Sequence, residues 1–420
     1  MKLLWITNTL FPEPSNVLGL EPPVFGGWMY GLAEQLGKND GVELAIATVY
    51  KGNVLKKIVS NGVMYYLLPV KDKTRYNNEL ENIWKDICLE FQPDIVHVHG
   101  TEYTHGLACM RILPHLRYVI SIQGLVSIIV RYYNSGLTFF DIVRNWTFRD
   151  IVKRDNLFQA KNKLHESGLL EKEYIKRTKN VIGRTCWDLV HVKAMNEKVD
   201  YYFCNESLRN KFYSAEKWSL NNCTKYSIFL SQAGYPLKGL HQVIKALSFL
   251  SNLYPNIKLR VGGQNIINRK TIKDRIKLSG YGKYICRLIK KYELQNNVVF
   301  LGTLTEEQMI VEYQNAHVFI CPSSIENSPN SLGEAQIIGT PVIASYVGGI
   351  PDMIENNVSG LLYRFEEIEM LAKNVCQVFE NEDLSLKLSK HGVLSASVRH
   401  NKDENFKRIL SIYSDILDCK

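Results

Sequence analysis

The chain has 420 residues, more than one hydrophobic core comfortably serves, so two domains are expected. Its content of 45% apolar and 22% charged residues excludes a disordered chain. A net charge of +9 favours anionic partners, among them a nucleotide diphosphate, a lipid phosphate or a bilayer face, without choosing among them.

Lys2 to Thr7 reads as an apolar strand, followed by a Pro- and Gly-rich loop from Phe11 to Gly27 and a helix from Trp28 to Leu36. Strand patterns recur at Val42 to Val49, Val63 to Pro69, Asp94 to Val98 and Tyr118 to Ile122, with a helix from Asn78 to Phe91. Between about 126 and 179 aromatic and basic residues mix, as in Phe139, Phe140, Arg144, Trp146, Phe148 and Arg149. Val181 to Gly183 and Tyr201 to Cys204 close this first series. A second series opens with a strand from Ser227 to Leu230 and a helix from Leu240 to Leu250. It continues with strand Ile257 to Val261, helix Ile272 to Tyr292, strand Val298 to Leu301 and helix Glu306 to Gln314. Val318 to Cys321 and Val342 to Ala344 are its last strands, and a final helix runs from Phe406 to Leu417.

Strands alternating with helices require parallel pairing through helical crossovers, which is an open α/β sheet. Two such series predict a first domain over 1–205, carrying an insert near 126–179, and a second over 206–400. Residues 401–420 form a helix placed to pack back on the first domain. Ligands of open α/β sheets sit beyond the carboxyl ends of the strands, so a cleft between two such domains is the expected site.

Met1 to Asn8 is too short, and lacks the cleavage pattern, for a signal peptide, and no run of eighteen apolar residues follows. Nine cysteines without a C-x-x-C pair read as buried thiols in a reducing compartment. A cytoplasmic protein is expected, with a place at the inner face of the membrane left open. The positive charge is spread and carries no nucleic-acid-binding motif, so no nucleic-acid partner is expected. No Asp-x-Asp pair is present to hold a divalent ion at a diphosphate, and no metal is expected.

Ser323 to Ala335 follows the strand Val318 to Cys321, and a helical pattern starts near Ser331. Unpaired N–H groups at a helix start suit a phosphate. Glu326 lies in the loop, where a sugar on that phosphate would reach, and Glu334 sits in the first turns, where it can accept from ribose hydroxyls. Lys238 at a loop-to-helix junction is a candidate charge clamp, or else a surface lysine. Gly26-Gly27 opens a helix after the first strand and allows close backbone approach; a plain turn explains the pair nearly as well. Gly262 ends a strand of the second series. His97 and His99 fall on one face of their strand, and His99, at its end, is the better candidate for the site.

Glu326 to Glu334, Gly339 to Ser345, Val347 to Pro351 and Ser231 to Gly239 together resemble the donor site of the GT4 family of retaining glycosyltransferases. The resemblance implies the GT-B architecture, two Rossmann-like domains facing a central cleft. It implies a hexose moved from a UDP- or GDP-linked donor, without metal or other cofactor, to a saccharide or lipid-linked saccharide. Bacterial capsular or exopolysaccharide synthesis and peripheral membrane contact are the expected setting. Glu326 then contacts the donor sugar, Glu334 the ribose, and Asn330, Ser331, Leu332, Lys238 and Gly26-Gly27 the diphosphate region. The arginine that usually precedes the Lys-Gly pair is replaced by Gln232 or Ala233. Gln123 stands where the family often carries a histidine, and glutamine is neither acid nor base near neutral pH. Gln123 and Arg184 are placed on the acceptor side, although Arg184 also reads as an ordinary surface arginine. Glu21 and Pro22-Pro23 are further acceptor-side candidates. Two rivals remain: a nucleotide-sugar 2-epimerase on the same architecture, and a sugar-nucleotide-binding protein without turnover.

Overall fold

The computed structural model describes residues 1–21, 26–74 and 76–418, and it divides into two compact units. The first is built from Met1–Ile128, His165–Arg209 and His400–Lys420, the second from Ile129–Leu164 and Asn210–Arg399.

The first unit holds β1 (Lys2–Thr7), β2 (Glu43–Tyr50), β3 (Lys56–Ser60), β4 (Val63–Pro69), β5 (Ile95–His99), β6 (Tyr118–Ser121), β7 (Asn180–Gly183) and β8 (Asp200–Phe203). Their order is β3-β4-β2-β1-β5-β6-β7-β8. The central strands pair in parallel, while β3 and β4 form an antiparallel hairpin turned by Asn61 and Gly62, both at positive φ. Along β1, Leu4 and Ile6 join one buried cluster and Leu3 and Trp5 the other, so both faces of the sheet are covered. The helix Lys402–Asp418 closes the Leu3–Trp5 face with Ile409, Ile412, Tyr413 and Ile416, spaced three and four apart. Trp5 Nε1 donates to the Tyr413 hydroxyl at 3.2 Å.

The second unit holds β9 (Thr224–Leu230), β10 (Lys258–Gly262), β11 (Val298–Gly302), β12 (Ala316–Cys321), β13 (Val342–Ser345) and β14 (Leu361–Tyr363). They form one parallel sheet in the order β11-β10-β9-β12-β13-β14. The helix Leu240–Leu253 lies on one face, burying Leu240, Val243, Ile244, Leu247 and Leu250, each side chain contributing about 1.5–3 kcal/mol. Phe229, Tyr313 and Phe319 meet edge to face or tilted on the other.

Three local expectations change. Pro12–Val17 is a short helix inside the expected loop, started by proline at its first position. The strand Lys56–Ser60 is added, a mostly polar edge. The single helix expected over Ile272 to Tyr292 is two, Ile272–Lys277 and Gly280–Lys291. Leu278 is extended and the Ser279 side chain accepts from Gly282 N, restarting the helix.

The insert expected inside the first domain is divided. Residues 129–164 belong to the second unit, and from His165 the long helix Leu157–Arg177 belongs to the first. Packing explains this. Leu137 and Ile142 are buried in the core under Leu240–Leu253, and His241 Nε2 donates to the Ser135 carbonyl at 2.8 Å. Ser135 Oγ also lies 2.8 Å from Ser324 Oγ.

Candidate functional site

β9 and β12 are neighbours, so the loops leaving their carboxyl ends run side by side. The first loop leads to a tight turn at Pro236–Lys238; the second carries Ser323 to Glu326. Ser324 N donates to the Leu237 carbonyl at 2.8 Å. Gly239 has φ +70°, and a Cβ there would lie 1.8 Å from the Pro322 carbonyl oxygen, so only glycine fits the crossing. The result is a contact of 2.5 Å between Lys238 Nζ and Glu326 Oε1, with both side chains 15% exposed. Ser323 Oγ donates to the same carboxylate oxygen at 2.7 Å. Burial works against the Lys238 charge, but the Glu326 carboxylate more than offsets it and holds the ammonium above its ordinary pKa. The loop after β13 fixes Glu326 from behind. Gly349 N donates to the Glu326 carbonyl at 3.0 Å, and a Cβ on Gly348 would lie 1.9 Å from that oxygen.

Four residues beyond Glu326 the helix Asn330–Ile338 begins at Pro329, with no side-chain cap. Leu332 N and Gly333 N both turn back to the Pro329 carbonyl, at 3.0 and 3.4 Å. The positive end of this nine-residue helix, at Asn330, Ser331 and Leu332, is suited to an anion. Glu334 is buried in its second turn, where the Tyr313 hydroxyl donates to it at 3.4 Å and to the Ser331 carbonyl at 3.0 Å. At the end of β10, a Cβ on Gly262 would lie 2.7 Å from the Ser231 carbonyl oxygen, so two strand ends approach closely there. One sheet edge thus carries Lys238, Glu326, Asn330, Ser331, Leu332, Glu334 and Gly262. Gln232 is exposed and Ala233 buried, and neither replaces an arginine.

The remaining candidates lie in the first unit. Gly26, at φ +91°, starts the helix Gly27–Gly37, and a Cβ on Gly27 would meet the Arg209 side chain at 3.0 Å. Glu21 is exposed; Pro22, Pro23 and Phe25 lie outside the described residues. His97 is buried between the Tyr413 hydroxyl at 2.6 Å and Ser121 Oγ at 2.7 Å. His99 is buried against Trp5 and His97, with ring centroids at 4.4 and 3.8 Å, and neither ring nitrogen has a partner among the described residues. Burial lowers its pKa to about 3, so the ring is neutral near pH 7. It lines a cavity of ≈ 40 Å³ with Trp28, Ser121, Arg184 and Glu206.

Arg184 is not a surface arginine. It is buried, 2.6 Å from Glu206 Oε2, and donates to the Ile122 and Gln123 carbonyls at 3.2 and 2.9 Å. Gln123 Nε2 donates to the other Glu206 oxygen at 3.3 Å. Sequence reading missed Glu206, which no motif marks. It also missed Ser323, although Ser323-x-x-Glu326 has the spacing of a local side-chain pair. Among the described residues, no three His, Cys, Asp or Glu side chains gather as a metal site, and no helix is long and apolar enough to cross a membrane.

The model of the family described as glycosyl transferases group 1 matches residues 210–393. This segment belongs to that family. The group 1 domain contains Lys238, Gly262, Glu326 and Asn330 to Glu334; the first-unit candidates lie outside the match. The D-inositol 3-phosphate glycosyltransferase of Corynebacterium urealyticum is 26% identical over 187 residues, 43% of this chain and 41% of that protein. The amylovoran biosynthesis glycosyltransferase AmsK of Erwinia amylovora is 31% identical over 112 residues, 24% of this chain and 28% of that protein. The chain therefore spans about two fifths or less of these two curated relatives. Among solved structures, sucrose-phosphate synthase from Thermosynechococcus elongatus superposes with a TM-score of 0.72 at 17% identity, covering 100% of both chains. Anabaena HepE in complex with UDP-glucose gives 0.63 at 14% identity, covering 99% of this chain and 100% of that one. The fold around the group 1 domain is GT-B, two parallel-sheet domains.

Proposed function

We propose that the chain is a retaining, metal-independent glycosyltransferase that moves a hexose from a UDP- or GDP-linked donor to a saccharide or lipid-linked saccharide. The observation that carries this reading is the Lys238–Glu326 pair beside the uncapped start of Asn330–Ile338. The donor diphosphate sits at that helix start and takes over the Lys238 ammonium, which neutralises the leaving group. Glu326, released from the lysine, accepts from the sugar hydroxyls, and Glu334 from the ribose. The bond between the sugar C1 and the phosphate oxygen breaks, and a bond from C1 to the acceptor oxygen forms on the same face. The acceptor proton passes to the leaving diphosphate. His99, neutral and without a hydrogen-bond partner among the described residues, serves as a hydrogen-bonding group on the acceptor side with Gln123, and Arg184 positions the Gln123 backbone.

The setting we assign is synthesis of a bacterial surface polysaccharide at the inner face of the membrane. The names of AmsK and of the putative colanic acid biosynthesis glycosyltransferase WcaL of Escherichia coli support it. So does the surface of 139–154, where Phe139, Phe140, Phe148 and Ile151 are exposed beside Arg144, Lys153 and Arg154.

The test is a thermal-shift and turnover screen against UDP-, GDP-, ADP- and CMP-sugars with chelator present. One donor should raise the melting temperature and slowly release its nucleoside diphosphate. Folded Lys238→Ala and Glu326→Ala variants that transfer sugar at the wild-type rate would sink the reading. Loss of turnover on adding chelator, restored by Mn²⁺, would sink metal independence alone.

A further inference from the structure

A cavity in the second unit has a chemistry the donor site does not use. It has a volume of ≈ 240 Å³ and lies between residues 133–160 and the start of the helix Gly280–Lys291. Its wall is shared with the turn that presents Lys238: Tyr235 and Pro236 line it, and Lys238 Nζ stands 5.9 Å from the centre of the Tyr235 ring. Tyr133, Trp146, Tyr235 and Tyr284 supply aromatic faces. Asp141, Arg149, Asp150, Asp155 and Asn145 supply the polar groups.

The polar groups are held in place by one another and by two threonines behind them. Asp141 Oδ2 accepts from Thr138 N at 3.0 Å and from Thr138 Oγ1 at 2.7 Å. Asp150 is buried and caps Thr147. Arg149 reaches Asp155 Oδ2 at 2.8 Å and Asp150 Oδ1 at 3.3 Å. Asn145 Nδ2 donates to the Asp141 carbonyl at 2.6 Å. Burial raises the Tyr133 and Tyr284 hydroxyls to about 12, so both stay protonated donors at neutral pH.

Three carboxylates and one guanidinium line the cavity. Beside it Arg287 donates to Asn145 Oδ1 at 3.2 Å and Lys283 to the Trp146 carbonyl at 3.1 Å. Charges of both signs are thus mixed, and no concentrated positive patch awaits a phosphate, a nucleotide or an anionic headgroup. An acyl chain is also a poor fit, because it would drive water from a wall that carries three carboxylates, a guanidinium and an amide. A pyranose meets both demands. Its C–H face lies on an aromatic ring, and its rim of hydroxyls donates to carboxylates and accepts from tyrosine.

We propose that this cavity is a saccharide subsite. It takes a neutral or amino-substituted sugar ring of the acceptor, beyond the ring that reacts. The placement rests on the glycosyltransferase reading, because the shared Tyr235–Pro236 wall puts the subsite next to Lys238. Residues 129–164 would then be an acceptor-reading element added to the group 1 domain.

The test is saturation-transfer difference NMR on the full chain with D-glucose, D-galactose, N-acetyl-D-glucosamine and L-rhamnose, each alone, and glycerol as control. At least one sugar should give a saturable signal that glycerol does not. Trp146→Ala, at a side chain already 40% exposed, should weaken that sugar about tenfold, and the isosteric Tyr133→Phe severalfold. The donor-induced thermal shift should survive in both variants. No saturable signal from any of the four sugars overturns the proposal. So does a signal that both variants leave unchanged. A wild-type protein that binds sugars in this way but no nucleotide sugar keeps the subsite and refutes the glycosyltransferase reading; the reverse pattern refutes the subsite alone.

Discussion

Lys238 and Glu326 make a pair whose value can be measured by removing its members singly and together. At 2.5 Å the attraction is about 6–7 kcal/mol for an effective dielectric near 20, and desolvation of two charges consumes most of it. Lys238→Met leaves Glu326 mostly buried, with the Ser323 hydroxyl at 2.7 Å still donating to it. That variant should lose about 3 kcal/mol, the lower end for a broken buried pair. Glu326→Gln strands the ammonium and should lose a similar amount. The double variant should lose about as much as either single one, giving a coupling of about 3 kcal/mol. Urea titration with an unchanged m-value measures each difference. All three variants should lose the thermal shift produced by a nucleotide sugar. Additive losses within about 0.5 kcal/mol would mean that the two charges do not sense each other, and the contact would then say nothing about the donor.

Gly348→Ala places a methyl 1.9 Å from the Glu326 carbonyl oxygen at a positive φ, so it should destabilise by about 2–4 kcal/mol and weaken donor binding, read by urea and thermal shift together. Glu171, buried and accepting from Val126 N, Ser127 N and Ser127 Oγ, has its pKa raised by burial from the ordinary 4.5 to about 7. A raised carboxyl pKa gives stability that is fully present below pH 4.5 and lost as the pH climbs through about 7. Wild type should therefore lose up to about 3 kcal/mol across that window, and Glu171→Gln should be flat there. Replacing Phe140, Phe148, Lys153 and Arg154 by Ser should abolish co-flotation with vesicles of phosphatidylglycerol and phosphatidylethanolamine; flotation equal to wild type removes the membrane reading.

The alternation of strands and helices was legible because the central strands are mostly apolar runs covered on both faces, as β1 and β12 are. Lys56–Ser60 escaped because an edge strand with one partner and mostly polar side chains carries no such run. Lys238, Glu326 and Glu334 could be read as a set from their motifs. That the first two touch could not, because the contact depends on the crossing of Gly239 over Pro322, 83 residues further on. Residues 129–164 were assigned to the wrong unit for the same reason: chain order carries no trace of the bond from His241 to Ser135, 106 residues apart. Arg184 looked exposed because its partner, Glu206, sits in a stretch with no pattern.

The helix Lys402–Asp418 sets the timetable by which the first unit is made. On a ribosome, domains usually fold in the order of their synthesis, at about 5–20 residues per second. Trp5 and His97 both bond the hydroxyl of Tyr413, which is 408 residues beyond Trp5. Their partner therefore follows Trp5 by about 20–80 seconds of translation, after the whole second unit has emerged. During that interval the Leu3–Trp5 face of the nascent sheet has no cover from this helix. The second unit, complete at Arg399, is the part of the nascent chain able to fold first.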